Sequence, residues 1–347
     1  MLGYRFPTRE CSYTTRDAII YALGLGCGTS PCISSDHALS PGARGPSCDC
    51  DGSSEERYVY EGSEGFGCFP TFALVLPFLG LRGHDVQSFP PEGMVMLPPA
   101  LVDAMGGAQV LHGEQQVEWH GALPVRGGRF RTDATVEGVR RRGKGCLVTV
   151  RSVITDADTG IPIASLTSGT FVVGLEPEVL AALPAGGGDH GEGETVVLAA
   201  APEGCAPTAT VRCAVGPTQA LLYRLSGDYN ALHADPSIAA MLGLGEKPIL
   251  HGLCTLGMAA RALVRLGTAA GGCGGDPARL RAVACRFVAP VFPGDELETA
   301  VWAEGRFGSS GVRVVRFQVR SRGAVVVDRG TATIACNALH QQRTSRL

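Results

Sequence analysis

Residues 251–266 read HGLCTLGMAARALVRL. Leu253, Leu256, Ala260, Leu263 and Val264 recur at helical spacing. Gly257, Ala259 and Ala260 are small enough for a sheet to close tightly over such a helix. Strand-like runs follow at 280–287, 296–302, 313–320 and 324–327. Arg316-Phe317-Gln318-Val319-Arg320 alternates with period two, as a half-solvated antiparallel strand does. The pattern predicts a curved antiparallel sheet wrapped around one small-residue helix.

Upstream, the same pattern has an echo. Ala18-Ile19-Ile20-Tyr21-Ala22-Leu23 and Ala220-Leu221-Leu222-Tyr223-Arg224-Leu225 share an A-φ-φ-Y-x-L pattern, with threonine before and glycine after as helix start and stop signals. Leu111-His112-Gly113 echoes Leu250-His251-Gly252, and a Pro/Gly corner follows each, at Leu123-Pro124 with Gly127-Gly128 and at 291–294. This reads as a diverged internal duplication. The expected fold class is α+β, a double hot-dog: two tandem hot-dog repeats with antiparallel sheets, the central helix retained in the C-terminal repeat. The expected divisions are a first repeat over 1–175, a Gly-rich linker over 176–205 that includes LPAGGGDHGEGE, a second repeat over 206–340, and a tail over 341–347. In the first repeat His112-Gly113 leads into GEQQVEWH, a strand pattern, and no long helix is legible in the corresponding place. The volume so vacated could admit a long apolar ligand. Residues 26–57 form a Cys/Gly/Ser/Pro-rich insertion that reads as a loop.

Composition bounds the function. Apolar residues make up 45% and charged residues 18%, enough to build a substantial core. A net charge of −3 gives no reason to expect nucleic acid or an anionic membrane as partner. The one basic cluster is Arg140-Arg141-Arg142-Gly143-Lys144. No apolar run approaches the ~20 residues of a membrane span, and the N-terminus lacks a signal-peptide core, so an intracellular chain is expected. The 13 cysteines are odd in number and form no CxxC pair, which favours reduced, buried thiols over a disulfide framework or a zinc site. Cys48 and Cys50, with Asp49 between them and His37 nearby, are a conceivable metal cluster in a loop. Ser345-Arg346-Leu347 is close to the peroxisomal address S-K-L.

SGDYNALHAD, residues 226–235, holds Asp228, Asn230 and His233 between a Ser-Gly turn and an Asp-Pro helix start. One reading makes Asp228 and Asn230 turn residues and His233 a hydrogen-bonded core histidine. The other makes Asp228 and His233 an acid–base pair that holds and deprotonates one water, with Asn230 as support. Gly252 favours the second. The first amides of a helix lack internal partners and lie at its positive end, and glycine lets a ligand approach the backbone. An acid–base pair beside such an anion-binding amide suits chemistry α,β to a carbonyl.

The segments YRLSGDYNALHADPSIAAMLG, KPILHGLCTLG, TTRDAIIYALGLG, YVYEGSEGFGCFPTFALVL and RFVAPVFPGDELETAVW together resemble the (R)-specific 2-enoyl-CoA hydratase (hydratase 2) family, related to MaoC-type dehydratases and present as a domain of peroxisomal multifunctional enzyme type 2. The resemblance implies a double hot-dog hydro-lyase that adds water to trans-2-enoyl-CoA in fatty-acid β-oxidation. It implies Asp228 and His233 as the catalytic pair, supported by Asn230, with the Gly252 amide polarising the thioester carbonyl. It places substrate contacts at His112, Gly113, Tyr229, Ala231, Leu232 and Phe287, and a CoA phosphate at Arg142 or Lys144. It calls for an acyl-CoA substrate, no cofactor and no metal, a homodimer, and a peroxisomal import receptor for the tail. The chain departs from the family pattern at Ala231, where proline is usual, and in its longer insertion. A hot-dog acyl-CoA thioesterase and a non-catalytic acyl-CoA-binding protein are the alternatives. Gly24-Leu25-Gly26-Cys27-Gly28 follows a helix instead of a strand and makes a poor dinucleotide fingerprint. The Arg140–Lys144 cluster reads equally as a solvated hairpin turn, and His112 equally as a structural residue. His84 and His120 read as surface residues.

Overall fold

Eleven strands form one antiparallel sheet whose order is symmetric about its centre. The strands are β1 (Arg9–Tyr13), β2 (Ile33–Ser35), β3 (Gln109–Trp119), β4 (Gly128–Arg142), β5 (Gly145–Asp156), β6 (Pro162–Val173), β7 (Ala209–Ala214), β8 (Leu280–Phe287), β9 (Glu296–Ala303), β10 (Val312–Ser321) and β11 (Ala324–Ala335). Outward from the middle, β3-β6-β5-β4-β1 mirrors β8-β11-β10-β9-β7, and β2 adds one strand beyond β7. This is a double hot-dog. The computed structural model describes residues 1–28, 33–35, 55–81, 86–91, 94, 97–105, 109–184, 198–303 and 311–336. His37, Cys48, Asp49, Cys50, His84, residues 185–197 of the Gly-rich linker and the terminal Ser345-Arg346-Leu347 lie outside the described residues.

The two halves join where β3 pairs with β8, with Glu114 opposite Arg286 and Glu118 opposite Ala282. Arg286 donates from Nε and Nη2 to Glu114 Oε1, at 2.9 and 2.6 Å, across this seam. Alternation does the rest of the work in the strands: Phe317 and Val319 point inward from β10 between more exposed neighbours. β11 runs past the expected stop at 327 to Ala335. Arg329 takes a left-handed step (φ 52°), and the register shifts between Asp328 and Thr331. Such a bulge bends a strand and increases its twist. Asp328-Arg329-Gly330 breaks the period-two pattern, which is why the sequence reads as a stop there.

The helix Gly252–Arg265 is buried along its whole length from Leu253 to Arg265. That burial includes two arginines. Arg261 donates to Glu55 through Nε and Nη2 at 2.6 and 2.7 Å, and Arg265 Nη1 lies 3.2 Å from the same carboxylate. Glu55 also accepts from Gly28 N at 3.3 Å, and Arg261 donates to Leu25 O at 3.4 Å. Gly28 and Glu55, on either side of the insertion, are thus held together around a single carboxylate that both helix arginines share.

The two copies of the A-φ-φ-Y-x-L pattern meet. They form the helices Thr15–Gly24 and Gln219–Tyr223, and the rings of Tyr21 and Tyr223 sit 5.6 Å apart. A side chain on Gly24 would come within 3.1 Å of Tyr223 Cα. In the first repeat Pro70–Phe78 forms a 3-10 helix with Thr71–Leu76 buried, packed against β1, β3 and the central helix. Pro70 and Pro77 bracket it, and an interior proline blocks an ordinary α-helix. The echo between Leu111-His112-Gly113 and Leu250-His251-Gly252 is not a structural equivalence: the first lies within β3 and the second opens a helix.

Cys213 departs from the expectation of reduced thiols. It is disulfide-bonded to a partner outside the described residues. Burial pushes the thiols of Cys11 and Cys27 up to about 12, which keeps both protonated. Among the described residues no helix is long and apolar enough to cross a membrane.

Removing one member of a buried ion cluster leaves uncompensated charge, at a cost of about 3–5 kcal/mol. Glu55→Ala strands two buried guanidinium groups and is expected to lose that much stability, read by urea unfolding against the wild type.

Candidate active site

The loop that carries Asp228, Asn230 and His233 is shaped by its own side chains. The turn Arg224–Ser226 ends at Gly227, whose φ of 113° favours glycine. A Cβ there would also meet Leu79 at 3.0 Å and Phe78 at 3.2 Å, so the 3-10 segment of the first repeat butts against the loop. Asn230 caps the short turn Ala231–His233, its Oδ1 accepting from Leu232 N at 3.1 Å, while its own amide donates to Asp228 Oδ1 at 3.3 Å. Asp235 then caps the helix Pro236–Met241 by accepting from Ser237 N at 2.8 Å. Two consecutive caps bring Asp228 and His233 round to face one another.

His233 is buried, with Nδ1 2.9 Å from Ile249 O. A carbonyl only accepts, so Nδ1 carries the proton and Nε2 bears the lone pair. A carboxylate oxygen of Asp228 and a ring nitrogen of His233 lie no more than 4.8 Å apart. One water that donates two ~2.8 Å hydrogen bonds at a tetrahedral angle spans about 4.6 Å. The pair thus offers acceptors close enough for one water to reach both. Burial pushes the Asp228 carboxyl up, and the facing histidine and the Asn230 amide pull part of the way back. Burial pushes His233 down, and Asp228 and the Ile249 carbonyl oppose that. His233 is held neutral, the form that can accept a proton.

His251 closes the back of the site. Its Nε2 lies 3.1 Å from the carbonyl oxygen of Asp228, so Nε2 donates, and its ring stacks on His233 at 3.6 Å with planes 26° apart. Tyr223 flanks it at 4.9 Å. Burial, and secondarily His233, hold its pKa well below the ordinary histidine value. Ligand atoms of Asp228, His233 and His251 all fall within 4.8 Å of one another, a spacing a metal could use. The stacking argues against one. Imidazole lone pairs lie in the ring plane, and two nearly parallel planes aim them past a shared point.

His251 is also the residue before the central helix. The first bond inside that helix runs from Thr255 N to His251 O at 3.1 Å, which leaves the Gly252 amide without an intrahelical partner at the positive end. The Phe287 ring stands 3.3 Å from where a Cβ on Gly252 would be, and packs edge-on to His112 at 5.2 Å. His112 comes from the first repeat. The register of β3 slips between His112 and Glu114, which makes Gly113 the extra residue of a bulge, and bulges re-aim side chains. The Phe171 ring occupies the space a Gly113 side chain would need. His112 also contacts Gln115 Oε1 at 3.0 Å and keeps access to solvent although protein surrounds it, as a residue lining a cleft does.

The structure thus gathers Asp228, Asn230, His233, Gly252, Phe287, His112 and Gly113 at the meeting of the two repeats. The others stand apart. Arg142 and exposed Lys144 flank Gly143 at the β4–β5 hairpin. Through Gly145, Val173 and Gln109, which lie opposite one another, this hairpin reaches the end of the sheet where His112 also lies. Tyr229 is buried with the Arg224 guanidinium 5.1 Å over its ring, Leu232 is half-buried and Ala231 is exposed. His120 is exposed as expected, with Nε2 2.8 Å from Ser165 Oγ. Sequence reasoning used His251 only to mark a helix start and gave Tyr223 no role. The tyrosine echo was the available signal for the second.

Two family models tile the chain: the MFE-2 hydratase 2 N-terminal domain matches residues 11–174 and the MaoC like domain matches residues 199–324. The chain is 31% identical over 303 residues to a probable enoyl-CoA hydratase 2 of Dictyostelium discoideum, covering 87% of this chain and 85% of the relative. The chain belongs to the MaoC-like hydratase 2 family. A crystal structure of a MaoC-like dehydratase from Phytophthora capsici superposes with a TM-score of 0.73 at 33% identity, covering 99% of this chain and 97% of the other. Peroxisomal multifunctional enzyme type 2 of Mus musculus is 33% identical over 304 residues, 88% of this chain but 35% of the relative. This hydratase 2 chain therefore spans about a third of that multifunctional protein and most of the length of the enoyl-CoA hydratase 2.

Proposed function

We propose that this chain is an (R)-specific 2-enoyl-CoA hydratase, a hydro-lyase that adds water reversibly to trans-2-enoyl-CoA to give (3R)-3-hydroxyacyl-CoA. The observation that supports it best is the pair of acceptors on Asp228 and His233 beside the unpartnered Gly252 amide. The thioester carbonyl oxygen accepts from Gly252 N–H, which favours the negative charge that develops there when C3 is attacked. The bridging water adds its oxygen to C3 and yields a proton to the acid–base pair. One proton returns to C2, so the elements of water are added and nothing is oxidised or reduced. His112 and Phe287 line the approach, with Arg142 or Lys144 at a CoA phosphate, where arginine forms paired charge-assisted bonds. In this reading residues 1–175 chiefly bind acyl-CoA and 206–340 carry the chemistry. The protein works as a homodimer, which sedimentation would test.

General acid–base groups are worth about 10²–10⁴ in rate. Asp228→Asn and His233→Ala are each expected to lower hydration of crotonyl-CoA and of a medium-chain enoyl-CoA by that factor while leaving the fold intact by circular dichroism. The assay follows (3R)-3-hydroxyacyl-CoA and free CoA together. Free CoA as the main product would make the protein a thioesterase, and tight binding without turnover would make it a carrier.

The pH dependence has a definite sign. His233 works as a neutral acceptor, and its pKa is pushed below the ordinary 6.5. Activity is therefore expected to fall on the acid side, with a half-maximal point of kcat/KM below 6.5. A half-maximal point above 6.5 contradicts this assignment.

Relatives of this chain are named peroxisomal, and we place it in the same compartment, delivered by an import receptor that reads Ser345-Arg346-Leu347. A fluorescent protein fused ahead of residue 1 is expected to collect in peroxisomes and to stay cytosolic when those three residues are deleted.

A further inference from the structure

His251 has no assigned part in the reaction, yet it touches Asp228 and His233 and precedes Gly252 in the chain. Its Nε2–H holds the carbonyl of Asp228 at 3.1 Å, its ring covers one face of His233 at 3.6 Å, and its own carbonyl starts the helix whose first amide belongs to Gly252. It is 1% exposed, and Nδ1 is buried without a hydrogen-bond partner among the described residues. An orphan acceptor of this kind costs stability, so packing alone does not account for a histidine at this place. An aliphatic or aromatic side chain would fill the same space without that orphan, but would leave the Asp228 carbonyl without its donor.

The geometry points to His251 as a positioning residue that fixes the Asp228 backbone and the His233 ring relative to the Gly252 amide, and that seals one face of His233 from water. The N–H bond sets where Asp228 starts its turn. The stacked face sets the tilt of the imidazole and with it the direction of the Nε2 lone pair. Errors of about 1 Å in such placement can cost on the order of 10²-fold in rate.

The same stack bears on the charge state of His233. The groups around it are Asp228 from its own loop, the Ile249 carbonyl and His251, with Tyr223 and Arg224 behind His251. Protonating His251 would put an N–H on the partnerless Nδ1 and a second cation against His233. His251 therefore stays neutral, and its ring acts on His233 by excluding water. Exclusion of water is the main cause of the lowered His233 pKa, so opening that face moves the pKa up.

Two substitutions in the full chain separate the roles. His251→Phe keeps an aromatic face on His233 and removes the donor to Asp228. It is expected to lower kcat by about 10–100-fold with KM nearly unchanged, and to leave the His233 titration, followed by NMR of the imidazole protons, where it is in the wild type. His251→Gln keeps a donor and removes the ring. It is expected to recover part of kcat and to shift the His233 midpoint, and the acid limb of the rate profile, to higher pH. Wild-type kcat and an unmoved His233 midpoint in both variants would overturn the proposal. A loss expressed in KM alone, or failure of both variants to fold, would also overturn it, since His251 would then serve binding or folding. The kinetic arm rests on the hydratase reading, whereas the NMR arm does not. A wild-type protein that hydrates no 2-enoyl-CoA would refute that reading and leave the His233 titration to decide this one.

Discussion

The structure depends on one helix that is buried on every side. A helix wrapped by sheet cannot solvate its charges or its ends. Arg261 and Arg265 sit deep in the core and share a single carboxylate, Glu55, from the other half of the chain. The C-terminal half of the helix is thus closed off. Its N-terminal amides remain as its one polar outlet, and they open where the catalytic loop arrives. The feature that builds the second repeat's core is also the source of the site's positive potential.

Duplication explains why the site lies where it does. The two repeats present the same five-strand order to a shared seam, and the paired tyrosines Tyr21 and Tyr223 meet across it. The repeats then diverged in one respect. The second kept its helix and its polar loop. The first put the short 3-10 segment Pro70–Phe78 against the helix, and its bulged strand at Gly113 supplies His112. The site draws on both copies because the seam alone brings β3 and β8, and with them His112 and Phe287, to the start of the central helix.

Two backbone carbonyls set the electrostatics. Ile249 O accepts a hydrogen bond from His233 Nδ1–H, and Asp228 O accepts one from His251 Nε2–H. Each tautomer is thereby fixed by a group that cannot titrate. Burial acts oppositely on the two side chains, pushing the Asp228 carboxyl up and the His233 imidazole down. Proton transfer between water and such a pair needs little solvent rearrangement, because the surrounding dipoles are already oriented.

Much of this was legible in the residues themselves. The helical spacing of 253–264 and the alternation of 313–320 reflect local periodicity, and local periodicity survives in sequence. The Asp-Pro cap at 235–236 and the placement of Asp228, Asn230 and His233 within six residues are likewise local. The tertiary structure decided what depends on groups distant in the chain. Glu55 meets Arg261 across 206 positions, and no spacing rule reports such a pair. The bulges at Gly113 and Arg329 are set by the curvature the sheet needs to wrap the helix, so they appear only where strands are paired. The stacking of His251 on His233 follows from a close contact between a loop and a helix start. Short-range order is written in neighbouring residues, whereas burial and charge are properties of what the fold brings near.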